Sequence, residues 1–326
     1  MIDPILLSRA IIFSSLLTLL SIGLTLTYLT TKVPNFAHAT FAAVGAYVTL
    51  TVVRMWEGNP YHFLFLAFII CGTIALGQFV IIFRPLLRRG ATIIGLMITT
   101  LAIEFILLAL LNIYADYLST QLKWRSRYFL LTPYDFQIGE YRGLLIVAPT
   151  LAVITVTLLY LVLTRTKFGV ARRAAIEDSS LASVVGINVH LVYAVSWFLA
   201  GGLAGISGGL LPLWFPGNPD IGGYLIVSTF AASIVGGLLS IYAAVLGGFL
   251  IGLAEILGTS YLASWLGAWV IPYRPLIPLV AIAITLLLAP KGLVGVDWRG
   301  IMMSVRKSAS QHTVRVKSKV SQSTYE

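Results

Sequence analysis

Residues Arg165 to Asn188 read RTKFGVARRAAIEDSSLASVVGIN, a basic and mostly polar stretch between two apolar segments, Leu144 to Thr164 and Val189 to Trp214. A helix rises about 1.5 Å per residue, so roughly 20 apolar residues cross the hydrocarbon core of a bilayer. Both flanking segments reach that length, which sets the polar stretch in water between two crossings. The same rule places further spans near Ala10 to Thr30, Phe36 to Val53, His62 to Phe83, Thr92 to Tyr114, Gly223 to Ser240, Ile241 to Leu262 and Ile271 to Ala289. The working count is nine, within a range of eight to ten. With 58% hydrophobic residues, 10% charged residues and a mean hydropathy of +0.93, the chain reads as an all-α polytopic membrane protein. A soluble domain of this size would need far more polar side chains to cover its outside.

Residues 1 to 296 form the membrane domain, with the 165 to 188 segment on one face and a 115 to 142 loop on the other. The first span is expected to stay in the mature protein, since Arg9 is its sole preceding base and no small-residue cleavage site follows. Fifteen of the 22 Lys and Arg residues fall on the face that carries Lys32, Arg84, Arg88, Arg89, the 165 to 188 segment and the tail. The positive-inside rule makes that face cytoplasmic, with the N-terminus outside. The tail, 297 to 326, is basic and Ser-rich and is expected to lie disordered along the inner leaflet. A net charge of +10 therefore points to lipid headgroups and orientation rather than to nucleic acid. The 115 to 142 loop carries seven aromatic residues from Tyr117 to Tyr141, which suits an interfacial belt better than a docking face for an external protein.

Within the polar stretch, Asp178 is a candidate N-cap, Leu181, Val184 and Val185 share one face, and Gly186 is a helix stop. The result is a short amphipathic helix outside the membrane, covered either by the chain's own bundle or by a partner's groove. Gly201, Gly205 and Gly209 repeat every four residues, and Gly248 and Gly252 form a second stripe of small residues, so both faces should point at other helices. The shortest spans, Phe36 to Val53 and Gly223 to Ser240, share the tetrapeptide Thr-Phe-Ala-Ala and are the candidates for pathway lining. Their polar side chains are Asn35, His38, Thr40, Ser228, Thr229 and Ser233. Asn35 reads equally as a helix cap after Pro34, and His38 as a satisfied interfacial histidine. Two carboxylates, Glu104 and Glu255, lie inside spans, where an ionised group costs at least roughly 2.5 to 3.5 kcal/mol and needs a donor or a proton. The lone cysteine, Cys71, excludes an intrachain disulfide and reads as a packing residue.

The stretches NFAHATFAAVGAY (Asn35 to Tyr47), RTKFGVARRAAIEDSSLASVVGINV (Arg165 to Val189), FLAGGLAGISGGLL (Phe198 to Leu211) and GGFLIGLAEIL (Gly247 to Leu257), with the ending RPLIPLVAIAITLLLAPKGLVG (Arg274 to Gly295), carry a family resemblance. The chain resembles the LIV-type branched-chain amino acid permeases of ABC importers, the H-type subunit in particular. That resemblance implies a type II ABC importer permease fold, a second permease subunit, two cytoplasmic ABC ATPase subunits and an extracellular or periplasmic solute-binding protein. It also implies that the polar stretch is the coupling segment seated on the ATPase, with Arg172, Arg173, Glu177, Asp178, Leu181, Val184, Val185 and Gly186 at the contact. Glu255 matches the family's G-x-x-x-G-x-x-E pattern through Gly248 and Gly252. Glu104 has no counterpart in it.

The chain contains no Gly-Lys dipeptide, hence no Walker A phosphate loop, and ATP chemistry must come from another chain. No metal or cofactor is expected, since the four histidines are scattered and no H-E-x-x-H occurs. The alternative is a proton-coupled secondary transporter of small neutral or zwitterionic solutes using Glu104 or Glu255. An intramembrane enzyme finds no candidate residues.

Overall fold

The computed structural model describes residues 3–139, 141–290 and 292–293. The expectation for the tail lies outside them. Twelve α-helices follow one another among the described residues: α1 Pro4–Thr31, α2 His38–Trp56, α3 Leu64–Gly77, α4 Arg84–Arg88, α5 Ile93–Gln121, α6 Leu144–Arg165, α7 Lys167–Glu177, α8 Ser179–Val184, α9 Val189–Leu210, α10 Ile221–Gly236, α11 Ile241–Leu266 and α12 Leu276–Leu288. A two-stranded ribbon, Gln137–Ile138 with Tyr141–Arg142, is the sheet content described.

Seven helical stretches are long and apolar enough to cross a membrane, and α10 and α12 are apolar but shorter. Together they match the nine expected spans in position. Their ends follow local chemistry. Asp3, Thr92, Thr166, Asn188 and Ser240 each accept a backbone N–H in the first turn of the helix they precede, at α1, α5, α7, α9 and α11. Three of the boundaries that differ from expectation have a visible cause. Helix α5 runs on to Gln121 because Ala115 and Leu118 are buried against the bundle, so the loop begins about two turns later than hydropathy suggested. The third span continues through a π-turn, Gln78–Phe83, and α4 to Arg88. The last span loses its start to a 3-10 turn, Ala268–Tyr273, and begins after Pro275, which lacks the N–H a helix interior needs.

Helix α1 is the hub. It is buried without a break from Ile12 to Thr27 and packs against α6, α9, α10 and α11. An apolar helix with no polar face belongs at the centre of such a bundle. Ser21 Oγ donates to Ala244 O (2.9 Å) and Ser207 Oγ to Leu16 O (2.9 Å), cross-linking the hub to α11 and α9. Helices α5, α6 and α12 turn many large apolar side chains outward, as lipid contact requires.

Candidate functional site

Helix α2 starts inside the bundle rather than at its rim. Lys32 takes a left-handed conformation (φ 56°) that ends α1, and residues 33 to 37 then fold back between helices, with Val33, Asn35 and Ala37 buried. His38, the first residue of α2, lies with Nε2 3.0 Å from Leu20 O, and its ring packs against Gly23. Those two α1 residues lie 11 and 8 positions before Thr31, so α2 begins about 12 to 16 Å in from the end of α1. Non-helical backbone at such depth requires partners from the protein. Asn35 Oδ1 accepts from Ala37 N and from Gln78 Nε2, both at 3.2 Å, and Thr100 Oγ1 donates to Pro34 O at 3.4 Å. Asn35 therefore closes a local turn ahead of α2 rather than capping the helix, in a loop deep in the bundle. Gln78 opens the π-turn of the third span, where the helical ladder widens. Its role was not visible in hydropathy.

The two short helices meet. Gly222 of α10 packs on the backbone of Thr40, and the rings of Phe36 and Phe230 stand 5.1 Å apart. Neither α2 nor α10 has a side-chain N-cap bond. Each carboxylate sits beside one of them. The Thr40 hydroxyl lies next to the Glu104 carboxyl and the Ser228 hydroxyl next to Glu255, but without hydrogen-bond geometry, so Thr40 Oγ1, Ser228 Oγ, Glu104 Oε2 and Glu255 Oε2 stay unpaired. Glu255 Oε1 accepts from Arg274 Nε at 2.6 Å, and that guanidinium stacks 4.3 Å above the Phe13 ring and 5.9 Å from the Trp214 ring. Arg274 was legible only as a loop base. Thr229 and Ser233 donate to the carbonyls of Leu225 (2.7 Å) and Ser21 (3.1 Å), which commits their hydroxyls to packing. All six pathway candidates are buried, so the α2–α10 contact is closed in this state.

At the face where α6 ends, the polar stretch forms two helices, not one. Helix α7 is tied down by Tyr193 Oη donating to Ala175 O (2.9 Å) and by Arg173 Nη1 donating to Leu163 O (2.5 Å). Arg172 turns inward and is 5% exposed, with Nε and Nη2 unpaired, and burial lowers its pKa to about 10. Helix α8 is short but closed at both ends. Asp178 Oδ1 accepts from Ser180 Oγ (2.6 Å), Leu181 N (3.0 Å) and Ser180 N (2.9 Å), bonds that hold its carboxyl below the usual range. At the other end, Gly186 (φ +86°) lets its own N–H reach Ser183 O and the Ile187 N–H reach Ala182 O, a Schellman closure. Ala182 packs inward against Ala175, Val189 and Val192, while Leu181, Val184 and Val185 are 62%, 83% and 68% exposed. The stub presents three apolar side chains to whatever lies beyond this face.

The family described as branched-chain amino acid transport system / permease component matches residues 6–296. The chain belongs to that family. It is 43% identical over 297 residues to a probable branched-chain amino acid transport permease protein LivH from Methanocaldococcus jannaschii, covering 91% of this chain and 94% of the relative. It is 27% identical to the high-affinity branched-chain amino acid transport system permease protein BraD from Pseudomonas aeruginosa, over 85% and 91% of the two chains. Against the high-affinity branched-chain amino acid transport system permease protein LivH from Escherichia coli (strain K12) the identity is 25%, over 88% and 94% of the two chains. No solved structure matches the chain.

The glycines that carry the motifs of this permease sit at close helix contacts. A side chain at Gly201 or Gly205 would run into the Cys71 turn of α3, at Gly208 into the backbone of Ala42, and at Gly209 into Thr49. Gly248 and Gly252 press α11 onto Thr18 and Ser14 of α1. Close backbone approach replaces the hydrophobic force that lipid does not supply.

Proposed function

We propose that the permease is the membrane-spanning subunit of an ATP-driven importer for branched-chain or related amino acids. In this reading it pairs with a second permease subunit, receives solute from an extracellular or periplasmic binding protein, and is driven by two cytoplasmic ABC ATPase subunits. The observation that carries it is the capped stub α8, whose outward apolar face is left uncovered by the described residues. The substrate class is taken from the named transport systems of the relatives. The α7–α8 face is cytoplasmic, and the nine alternating spans then put Pro4 outside, in keeping with the distribution of basic residues.

Motion of α8 passes through its packing on α7 and α9 to the helix that crosses α1, α2 and α3. Leu181, Val184 and Val185 form the contact with the ATPase, Glu177 and Asp178 stand at the start of the stub, and Gly186 shapes its end. Arg173 acts from behind, tying α7 to the end of α6, with Arg172 buried beside it. Separation of α2 from α10 would open the pathway, exposing the unpaired groups of Asn35, His38, Thr40 and Ser228, with Glu104 beside Thr40 and Glu255 beside Ser228. Reconstitution tests the whole: leucine, isoleucine or valine should accumulate in vesicles when ATPases, partner permease and binding protein are present with ATP. Accumulation by this chain alone, driven by a proton gradient, would overturn it.

A further inference from the structure

A second polar site lies away from the α2–α10 contact. The ends of α1, α4 and α9 and the start of α8 enclose a cavity of about 320 Å³ whose walls include Arg84, Arg88, Ser179, His190, Phe79 and Leu87. Arg84 and Arg88 are one turn apart on α4, and the charges of both bear on His190. Among the described residues neither arginine has an ion pair or a side-chain hydrogen bond, and Arg84 Nε is shut off from solvent with no partner. Like charges at i and i+4 repel, so their placement on one wall without a carboxylate calls for an anion from elsewhere.

The cavity's position selects the anion. Helix α4 continues the span Pro60–Arg88, so the arginines stand where hydrocarbon gives way to headgroups, and Phe79 and Leu87 add apolar surface beside them. A phospholipid presents that sequence of chemistry, a phosphate directly above apolar chains. An acidic side chain from a soluble subunit brings the charge without the apolar continuation. We infer that the cavity holds the phosphate of an anionic phospholipid of the α7–α8 leaflet, bridging α4 to Ser179 at the start of α8. Lipid composition would then set how firmly the stub is braced.

The test uses the full chain purified in detergent and exposed to mixed phosphatidylglycerol and phosphatidylcholine, with retained lipid counted by native mass spectrometry. Each base near an anionic headgroup contributes about fivefold in affinity, so the wild type should prefer phosphatidylglycerol by about 30-fold. Arg84→Gln with Arg88→Gln should abolish that preference, Arg84→Lys with Arg88→Lys should keep most of it, and Arg165→Gln with Lys167→Gln, outside the cavity, should leave it intact. Should the glutamine pair fail to fold, absence of preference in the wild type, or equal loss in the 165/167 variant, still refutes the site. Displacement of the lipid by millimolar inorganic phosphate would assign the cavity to a free anion, and displacement by added ATPase subunits would assign it to a protein carboxylate. Either result overturns the lipid assignment.

Discussion

Replacing Leu181, Val184 and Val185 together by Asp should separate the permease from its ATPase without unfolding it. The three side chains are 62%, 83% and 68% exposed, and the inward contacts of α8 run through Ala182. Full burial of a Val or Leu side chain is worth about 1.5 to 3 kcal/mol. Scaled by exposure, covering all three in a groove contributes about 3 to 6 kcal/mol, an upper bound because docking also orders side chains. Loss of about 3 kcal/mol alone weakens binding by more than 100-fold, and each carboxylate forced into an apolar groove adds its own desolvation cost. The assay is ATPase binding to immobilised permease in nanodiscs, with thermal unfolding of the permease as control. Ser183→Asp places a charge on the same stub without removing an apolar side chain and should cost less than tenfold. If the triple variant binds ATPase within a few-fold of wild type, the stub is not the contact and the coupling proposal fails.

Glu255→Gln leaves the Arg274 cation largely enclosed without its counter-charge, and breaking a buried pair in this way costs about 3 kcal/mol or more. Glu255→Gln with Arg274→Met should recover most of that in a denaturation series. Gly208→Val meets the Ala42 backbone and should cost at least about 1 to 3 kcal/mol, whereas Gly223→Val, where the added carbon meets nothing within 4 Å, should cost well under 1 kcal/mol by the same measurement. The Asp178 carboxyl is held below its ordinary range by the Ser180 hydroxyl and the Leu181 N–H, so its support of α8 is present at neutral pH and fades as pH falls through that lowered value. Protection of the amides at residues 181 to 184, measured relative to the intrinsic exchange rate at each pH, should fall with acidification in wild type and lose that pH dependence in Asp178→Asn, which keeps the cap geometry.

Hydropathy reported the nine spans because each must satisfy one solvent along its whole length, and the caps at Asp178 and Gly186 were legible because a helix end is a local event. What sequence could not show was depth. Asn35 reads as a cap in either setting, but only the return of residues 33 to 37 into the bundle puts the start of α2 beside Leu20 and Gly23, and that return depends on Gln78 and Thr100, which lie 43 and 65 positions away. Arg274 looked like a loop base because its partner Glu255 lies on another helix, and Arg172 looked like a surface base because nothing near it in sequence announces burial. The same logic bears on Thr229 and Ser233, read from sequence as pathway groups. A hydroxyl on a membrane helix bonds its own backbone or a neighbour's unless something competes for it, and here Leu225 and Ser21 supply the carbonyls. The hydroxyls of Thr40 and Ser228 are different. They lie against carboxyls without completing a bond, on two helices that start without caps and press on each other. Unused hydrogen-bonding capacity buried inside the bundle costs free energy in the closed state. In the proposed reading, a zwitterionic solute entering between α2 and α10 would satisfy it, and the same groups that make the closed contact less stable would favour opening when substrate is present.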